Sequence, residues 1–409
     1  MCAGRTAHSP IDEPAPFSFE ELFFSRTDTR GIMLAGNSVF QRISMYEWEE
    51  LLGKPHNLIR HPDMPKAVFY LLWDTIKKGE PIGAYVKNMA KDGRYYWVFA
   101  LVTPIDGGYL SVRLKPSSEI LAVVEREYKS LVAHERNSGI SPAESAGLLL
   151  ARLTELGFSD YGAFTAAALS AEIAARNEQL GRGRDAAVAY FADLTQAARA
   201  LFEKSGIIFS AYEANKYVPL NLQVQSAQLG DDGAAIAVIS SNYNIISTEI
   251  KNNMSHFLTS VQKVFQTINA GLLLVSTAKI QQEVIEFFRH EVPSQHIVRE
   301  QEMTHLERQQ IEYRLKAEEG LRDILSQTER FQSACRDMKM LASGLEVTRI
   351  MGKVENARQT ESGDGLNEMI NDLGALQESI STSLREIGQI NSAIKFSTER
   401  LVEAVRAAA

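Results

Sequence analysis

Cysteine is almost absent from this chain of 409 residues, which carries only Cys2 and Cys335. A disulfide framework needs more, so none is expected, and the usage fits a reducing compartment. Long apolar runs are also missing. A helical membrane span needs about 20 consecutive apolar residues. The best stretch, Ala270 to Ala278, is short and is followed by Lys279. Near the N-terminus, Asp12 and Glu13 stand where a secretory signal would place its apolar core. Positive charge is in deficit: 43 Lys and Arg face 51 Asp and Glu, for a net charge of -8. Nucleic-acid binding needs clustered Lys and Arg, so that partner class is not expected. There is no Walker loop, HExxH or nucleophile elbow. His134 and His290 fall in helical patterns, but no Gly-rich ATP-binding domain follows either. These gaps predict a soluble, cytoplasmic protein that is not an enzyme.

Proline becomes scarce after Pro116, with only Pro142, Pro219 and Pro293 beyond it. Texture changes at the same point. Residues 1–18 are rich in Pro, Ser and Ala, and read as a disordered leader. From 19 to 116 aromatic residues are dense, and turn signals recur at Asp28 to Gly31, Lys91 to Gly93 and Asp106 to Gly108. Ile82 to Met89, Arg94 to Ile105 and Tyr109 to Leu114 read as an antiparallel meander. Leu22 to Arg26 and Ile32 to Ala35 form an earlier pair, and Asn37 to Gly79 reads as broken helix. Two strands, a helical crossing and three strands predict an α+β domain. It is a five-stranded antiparallel sheet with helices over one face, enclosing a small cavity.

Two further regions, 117–290 and 291–409, read as mainly α-helical. Ile120 to Arg136 and Glu300 to Phe331 place apolar residues three and four apart among many charges. Such spacing over several heptads implies coiled-coil packing, so a homodimer through the helical region is expected. Glu300 to Phe331, sparse in apolar positions, reads as an exposed connector or a dimer coil.

Within the first domain, the segment Asn57-Leu-Ile-Arg-His-Pro-Asp-Met-Pro65 closely resembles the signature of aerotaxis receptor PAS domains. The likeness continues through Leu51 to His56, Lys77 to Pro81, Val86 to Asn88 and Tyr96-Trp97. It implies a sensor that binds FAD non-covalently and reads its redox state. A flavin ring requires an apolar, aromatic slot with a few fixed polar groups at its edge. Asn88 is the candidate for that edge, and Trp73, Tyr96 and Trp97 for the walls. Arg60 and His61 are candidates for the diphosphate, and Asp63, where the next helix is expected to begin, is a further candidate cofactor-binding residue. Asn37, at a helix start, matches a family position implicated in flavin binding. Bland readings stand beside these: Asp63 and Asn37 as helix N-caps, the two Trp as core, Arg60 paired with Asp63, and His61 as an unliganded polar residue. Ile82 departs from the family, which often has an aromatic residue there.

Asn221 to Ile239 resembles, without a gap, the hairpin tip of bacterial chemoreceptors, matching at Asn221, Val224, Ala227, Gly230, Gly233, Ala237 and Val238. The charged positions differ: Gln225, Gln228, Ala234, Asn242 and Asn244 stand where the family has Glu or Arg. The resemblance implies a degenerate receptor hairpin whose family partners are the chemotaxis histidine kinase and its coupling protein. A similar unit recurs at Leu345 to Arg358, followed by Ser362 to Gly365. Two other readings of the sensor remain open. One is a haem or small-molecule sensor using His56 or His61 as axial ligand. The other is a cofactor-free dimerising scaffold.

Overall fold

The computed structural model describes residues 9–183, 186–228, 233–292, 294–358 and 364–407. They form two compact units that are not consecutive in sequence. Unit 1 comprises 1–189 with 269–319, and unit 2 comprises 190–268 with 320–409.

Unit 1 is built on a six-stranded sheet: β1 (Ile11–Pro14), β2 (Phe23–Asp28), β3 (Met33–Gly36), β4 (Ile82–Met89), β5 (Arg94–Ile105) and β6 (Gly108–Leu114). The expected five strands pair antiparallel, in the spatial order β4-β5-β6-β2-β3. The sixth corrects the sequence reading. Residues 11–14, taken for part of a disordered leader, run parallel to the start of β5. Residues 1–8 lie outside the described residues. The cause is an open edge: β6 ends opposite Phe99, leaving Gly93 and Tyr95 carbonyls for the Ile11 and Ala15 amides at 2.8 and 2.7 Å. Composition alone gives no sign of that edge.

The β2–β3 turn is fixed locally. Asp28 Oδ1 accepts from the Arg30 and Ile32 amides, and Gly31 sits at φ 79°, a left-handed conformation that favours glycine. Over one face of the sheet lie α1 (Ser38–Ser44), α2 (Trp48–Leu51), a 3-10 turn (His56–Ile59) and α3 (Lys66–Lys77). Beyond the sheet come α4 (Glu119–Ser138), α5 (Pro142–Glu155) and α6 (Tyr161–Gln179).

Buried carboxylates join these helices to the sheet domain. Glu135 of α4 accepts from the Lys66 and Ala67 amides, capping the first turn of α3 from another element. Glu172 of α6 accepts from the Tyr85 hydroxyl at 2.6 Å and from the Ser117 and Ser118 amides ahead of α4.

Unit 2 is helical. It contains α7 (Ala186–Asn215) from Tyr190 on, α8 (Val218–Gln228), the first part of α9 (Ala234–Arg289), the later part of α10 (Arg299–Arg358), and α11 (Asp364–Ala407). Each long helix buries one seam at alternating spacings of three and four. On α10 the seam is Leu321, Ile324, Thr328, Phe331, Cys335, Met338, Ala342 and Leu345; on α11 it is Ile380, Leu384, Ile387, Asn391, Ile394, Thr398 and Leu401. α9 and α10 pack antiparallel, with Phe257 and Phe331 ring centroids 4.8 Å apart, and α11 meets α10 where Asn391 donates to the Thr328 carbonyl at 3.1 Å. α7 meets α11 through Lys204 and Glu386 at 2.6 Å. The bundle is therefore closed by helices of one chain. The stretch Glu300 to Phe331 is not an exposed connector: Leu306, Tyr313, Ala317 and Leu321 are buried along one face.

The proposed receptor-like tip runs from α8 into α9. Gly230 lies outside the described residues, but Gly233 is accounted for, since a Cβ there would stand 2.1 Å from the Ser226 carbonyl oxygen. Of the second, similar segment, α10 ends at Arg358 and α11 starts at Asp364, so Asp364 and Gly365 are helical, and Ser362 and Gly363 lie outside the described residues.

Candidate functional site

Strand alternation decides which side chains reach the interior of the sheet domain. Ser25 and Thr27 of β2, Val86 and Asn88 of β4, Ala100 and Val102 of β5, and Ser111 and Arg113 of β6 all face a cavity of about 170 Å³. α3 closes it with Phe69, Leu72, Trp73 and Ile76, and the 3-10 turn contributes His56 and Asn57. No acidic side chain lines it among the described residues.

At its centre Arg113 is buried without a carboxylate. Its Nη2 donates to Ser25 Oγ at 2.9 Å and to His56 Nε2 at 2.7 Å, while Nη1 has no hydrogen-bond partner. Burial holds the guanidinium down to about 10, which still leaves it charged at neutral pH. Desolvation, then the charges of Arg113 and Arg60, push His56 well below its ordinary value. Because Arg113 can only donate, His56 Nε2 accepts and its proton sits on Nδ1. Two more buried polar atoms are unsatisfied here: Asn88 Nδ2 and Ser111 Oγ. Buried donors and acceptors are normally paired, so three orphans on one cavity point to a polar ligand edge.

Of the eight residues singled out from the sequence, the cavity brings together Arg60, Trp73 and Asn88. Arg60 lies with its guanidinium carbon 3.5 Å from the Phe69 ring centre, and Trp73 meets Tyr109 edge-on at 5.6 Å. The other five lie elsewhere. Asn37 is the N-cap of α1, and its amide also ties β2 through the Phe24 amide and the Leu22 carbonyl. Asp63 is not a cap, because α3 starts after Pro65 and Glu135 supplies the cap; Asp63 pairs with Lys87 and Arg136 instead. His61 is buried outside the cavity, accepting from the Asp63 amide at Nδ1, and burial together with the Lys87 charge lowers it to about 4. Tyr96 faces inward but stacks on Phe23 at 5.8 Å beyond the cavity lining. Trp97, its neighbour on the strand, points to the opposite face and packs on Tyr128 of α4 at 6.1 Å.

The sequence reading missed Ser25, Ser111 and Arg113. The available signal was polar residues at inward positions of otherwise apolar strands.

Residues 34–112 match the family model described as PAS fold. They are a PAS domain. The aerotaxis receptor of Escherichia coli (strain K12) is 43% identical over 123 residues, 29% of this chain and 24% of that one. The biofilm dispersion protein of Pseudomonas aeruginosa is 30% identical over 105 residues, 25% of each chain. The nitrogen fixation regulatory protein of Klebsiella pneumoniae is 28% identical over 81 residues, 20% of this chain and 16% of that one. The chain thus spans about a quarter of the length of its first two relatives. Among the described residues no helix is long and apolar enough to cross a membrane.

The cavity combines aromatic and apolar walls from α3, β4 and β5 with unsatisfied polar atoms on β4 and on β6, on either side of β5. Its lining overlaps only in part with the residues expected from the motif.

Proposed function

We propose that the PAS domain holds FAD and that the protein is a redox sensor whose helical region relays the signal. The observation that carries this is the convergence of Asn88 Nδ2, Ser111 Oγ and Arg113 Nη1, all buried and unpartnered, on one cavity. Ser111 and Arg113 on β6 would hold one polar group of the ligand and Asn88 on β4 another, with Trp73, Tyr109 and Phe69 offering ring faces. Arg60 and Arg30, which also line the cavity, offer positive charge to the diphosphate. When bound, the flavin supplies reversible electron uptake. The buried charge of Arg113 favours the electron-rich form of whatever occupies the cavity.

A sensor also needs a route out, with two conformations that the two redox forms bind differently. β4 carries both Asn88 and Tyr85, and the Tyr85 hydroxyl is held by Glu172. α3 carries Phe69 and Trp73, and its first turn is held by Glu135. Two walls of the cavity are therefore anchored to α4 and α6 by buried carboxylates.

The partners we infer are those of the resemblance, a chemotaxis histidine kinase and its coupling protein, with a homodimer through the helical region. Because unit 2 closes its inner seams within one chain, the dimer would use an outer row. Met340, Val347 and Val354 on α10 are more than half exposed at seven-residue spacing, which fits such a row. No observation favours haem: His56 Nε2 is engaged by Arg113, and His61 is outside the cavity.

Purified protein should be yellow, with a flavin spectrum that bleaches on reduction and returns in air. Colourless protein that refuses added FAD would overturn the proposal.

A further inference from the structure

Strand alternation gives β2 two faces. Ser25 and Thr27 line the cavity, while Phe24 and Arg26 point to the opposite face of the sheet. The end of α9 and the start of α10 lie over that second face, and both belong to unit 1. Phe24 meets Phe288 of α9 with ring centroids 5.4 Å apart, and Leu306 of α10 is fully buried in the same core. Arg26 donates to both carboxylate oxygens of Glu302 of α10, from Nε at 2.8 Å and from Nη2 at 2.7 Å, and Glu302 is buried. Two more polar ties flank this pair. Glu291, just past α9, accepts from the amide and hydroxyl of Ser38 at the start of α1. Gln309 donates to the Pro104 carbonyl of β5 at 3.1 Å. The two helix segments and their link therefore form a strap on the sheet domain, tied at Ser38, Arg26 and Pro104.

The strap's packing leaves polar groups unmet. Ser276 Oγ, Gln281 Oε1 and Arg299 Nη2, all on its two helices, are buried without a hydrogen-bond partner. Water would meet each of them, so docking carries a cost that release removes. The main fastening has the same character. A buried ion pair returns in attraction about what its desolvation takes, and it demands close geometry. Local structure does not require this one: Glu302 stands in the first turn of α10, where an acidic group is favourable with or without Arg26. Docked and released states are thereby brought close in free energy, the condition for a two-state element.

We propose that this strap is a releasable clasp, fastened by Arg26 and Glu302, and that β2 sets its closure. Arg26 stands between Ser25 and Thr27, so a shift of β2 that suits a ligand at those two side chains moves the guanidinium with them. Ser25 Oγ accepts from Arg113 at 2.9 Å, so a ligand that engages Arg113 also acts on β2 through that bond. α10 begins in the strap and runs unbroken to Arg358, supplying unit 2 as well. The sensor thus has an exit that passes through neither α4 nor α6. Control by the cavity rests on reading it as a flavin site; the clasp itself does not.

Hydrogen exchange of the full chain, read by mass spectrometry over residues 280–310, tests both parts, first without flavin and then loaded with FAD. In the flavin-free chain the strap should exchange through its own opening, ahead of β5. Glu302→Gln keeps the size of the side chain and drops its charge; it should quicken strap exchange about 10-fold or more and leave β5 unchanged. Arg26→Gln should do the same, which keeps the test informative if one variant fails to fold. The double reversal, Arg26→Glu with Glu302→Arg, should return exchange towards the parent rate. FAD loading should change strap exchange by about 5-fold or more in the parent, the lower range of a coupling between sites, and by less than about 2-fold in Glu302→Gln. A strap that opens only together with β5, in the parent and in both single variants, would overturn the clasp. Equal strap exchange in empty and FAD-loaded parent chains would overturn control by the cavity. Protein that takes up no FAD would remove the flavin reading and the cavity's control with it, while the single variants still decide the clasp.

Discussion

In the sheet unit Arg113 is buried with Nη1 unpaired, beside unsatisfied Asn88 and Ser111. In the helical unit the buried hydroxyls of Ser205, Thr328 and Thr398 each donate to a carbonyl one turn back, at 2.6 to 2.7 Å. Both units bury polar groups, but in the helical unit these hydroxyls are met within their own helices, while the sheet unit leaves several polar atoms open around one cavity. Unmet polar groups cost stability, so they are retained where a ligand meets them. The contrast separates a unit shaped to receive something from a unit shaped to hold its own form. It also predicts different responses to the same kind of mutation.

The largest effect is expected in the bundle. Phe331 is fully buried against Phe257, so Phe331→Ala should destabilise by about 3–5 kcal/mol, the range for deleting a core aromatic. Tyr109→Ala, at the wall of an existing cavity, should cost less than about 2 kcal/mol, because fewer contacts are lost. Chemical denaturation of both variants checks the pair. Equal costs would remove the distinction between a filled and an open interior.

Next comes Arg113→Met. It removes a buried, uncompensated cation, a change often neutral or stabilising when the replacement is apolar and of similar size. FAD affinity should fall about 100-fold or more, in line with losing a buried charged partner, while the flavin-free chain keeps or gains thermal stability. Flavin titration followed by fluorescence, with melting of the flavin-free variant, reads both. Unchanged affinity would take Arg113 out of the site.

How far these differences could be read beforehand depended on the scale of the signal. Alternation and turn residues gave five strands in the right order, and three-four spacing gave the long helices. β1 was missed because its partner is an edge exposed only once β6 ends. Asp63 reads equally as a cofactor residue or as the cap of α3, because only proximity to that helix is visible in sequence, whereas the cap, Glu135, comes from 69 residues away. Tyr96 and Trp97 were both assigned to the ring although adjacent strand residues face opposite sides. Arg113 was overlooked because a cation on a β-strand reads as surface unless its inward register is counted.

Acid should weaken the sheet unit selectively. His61 is lowered to about 4 in the folded state, below its ordinary value of 6.5, so it stays neutral there while the unfolded chain protonates. Its contribution is complete above pH 6.5 and is lost progressively as pH falls from 6.5 to about 4. The size is about 2 kcal/mol. His56, also lowered, acts in the same direction. Unit 2 holds His256, on an exposed position. Melting followed between pH 7 and 4.5 should show unit 1 weakening, with His61→Gln flattening the dependence. A pH profile unaltered by that substitution would assign the acid sensitivity elsewhere.

The smallest effect probes a place where the bundle leaves a buried polar atom unmet. Asn391 sits in the α11 seam between Ile387 and Ile394, donates to the Thr328 carbonyl, and leaves its own Oδ1 without a partner. A polar residue at one seam position commonly fixes register at a cost in stability. Asn391→Leu should therefore stabilise the bundle by about 1 kcal/mol, because an apolar side chain needs no partner there. The Thr328 carbonyl keeps its bond from within α10, so the change should strand no backbone group. If register is what Asn391 secures, α11 should then sample more than one alignment against α10. Hydrogen exchange near Thr328 would quicken even as the melting point rises. A variant both more stable and equally protected would mean that the seam's apolar residues set the register unaided.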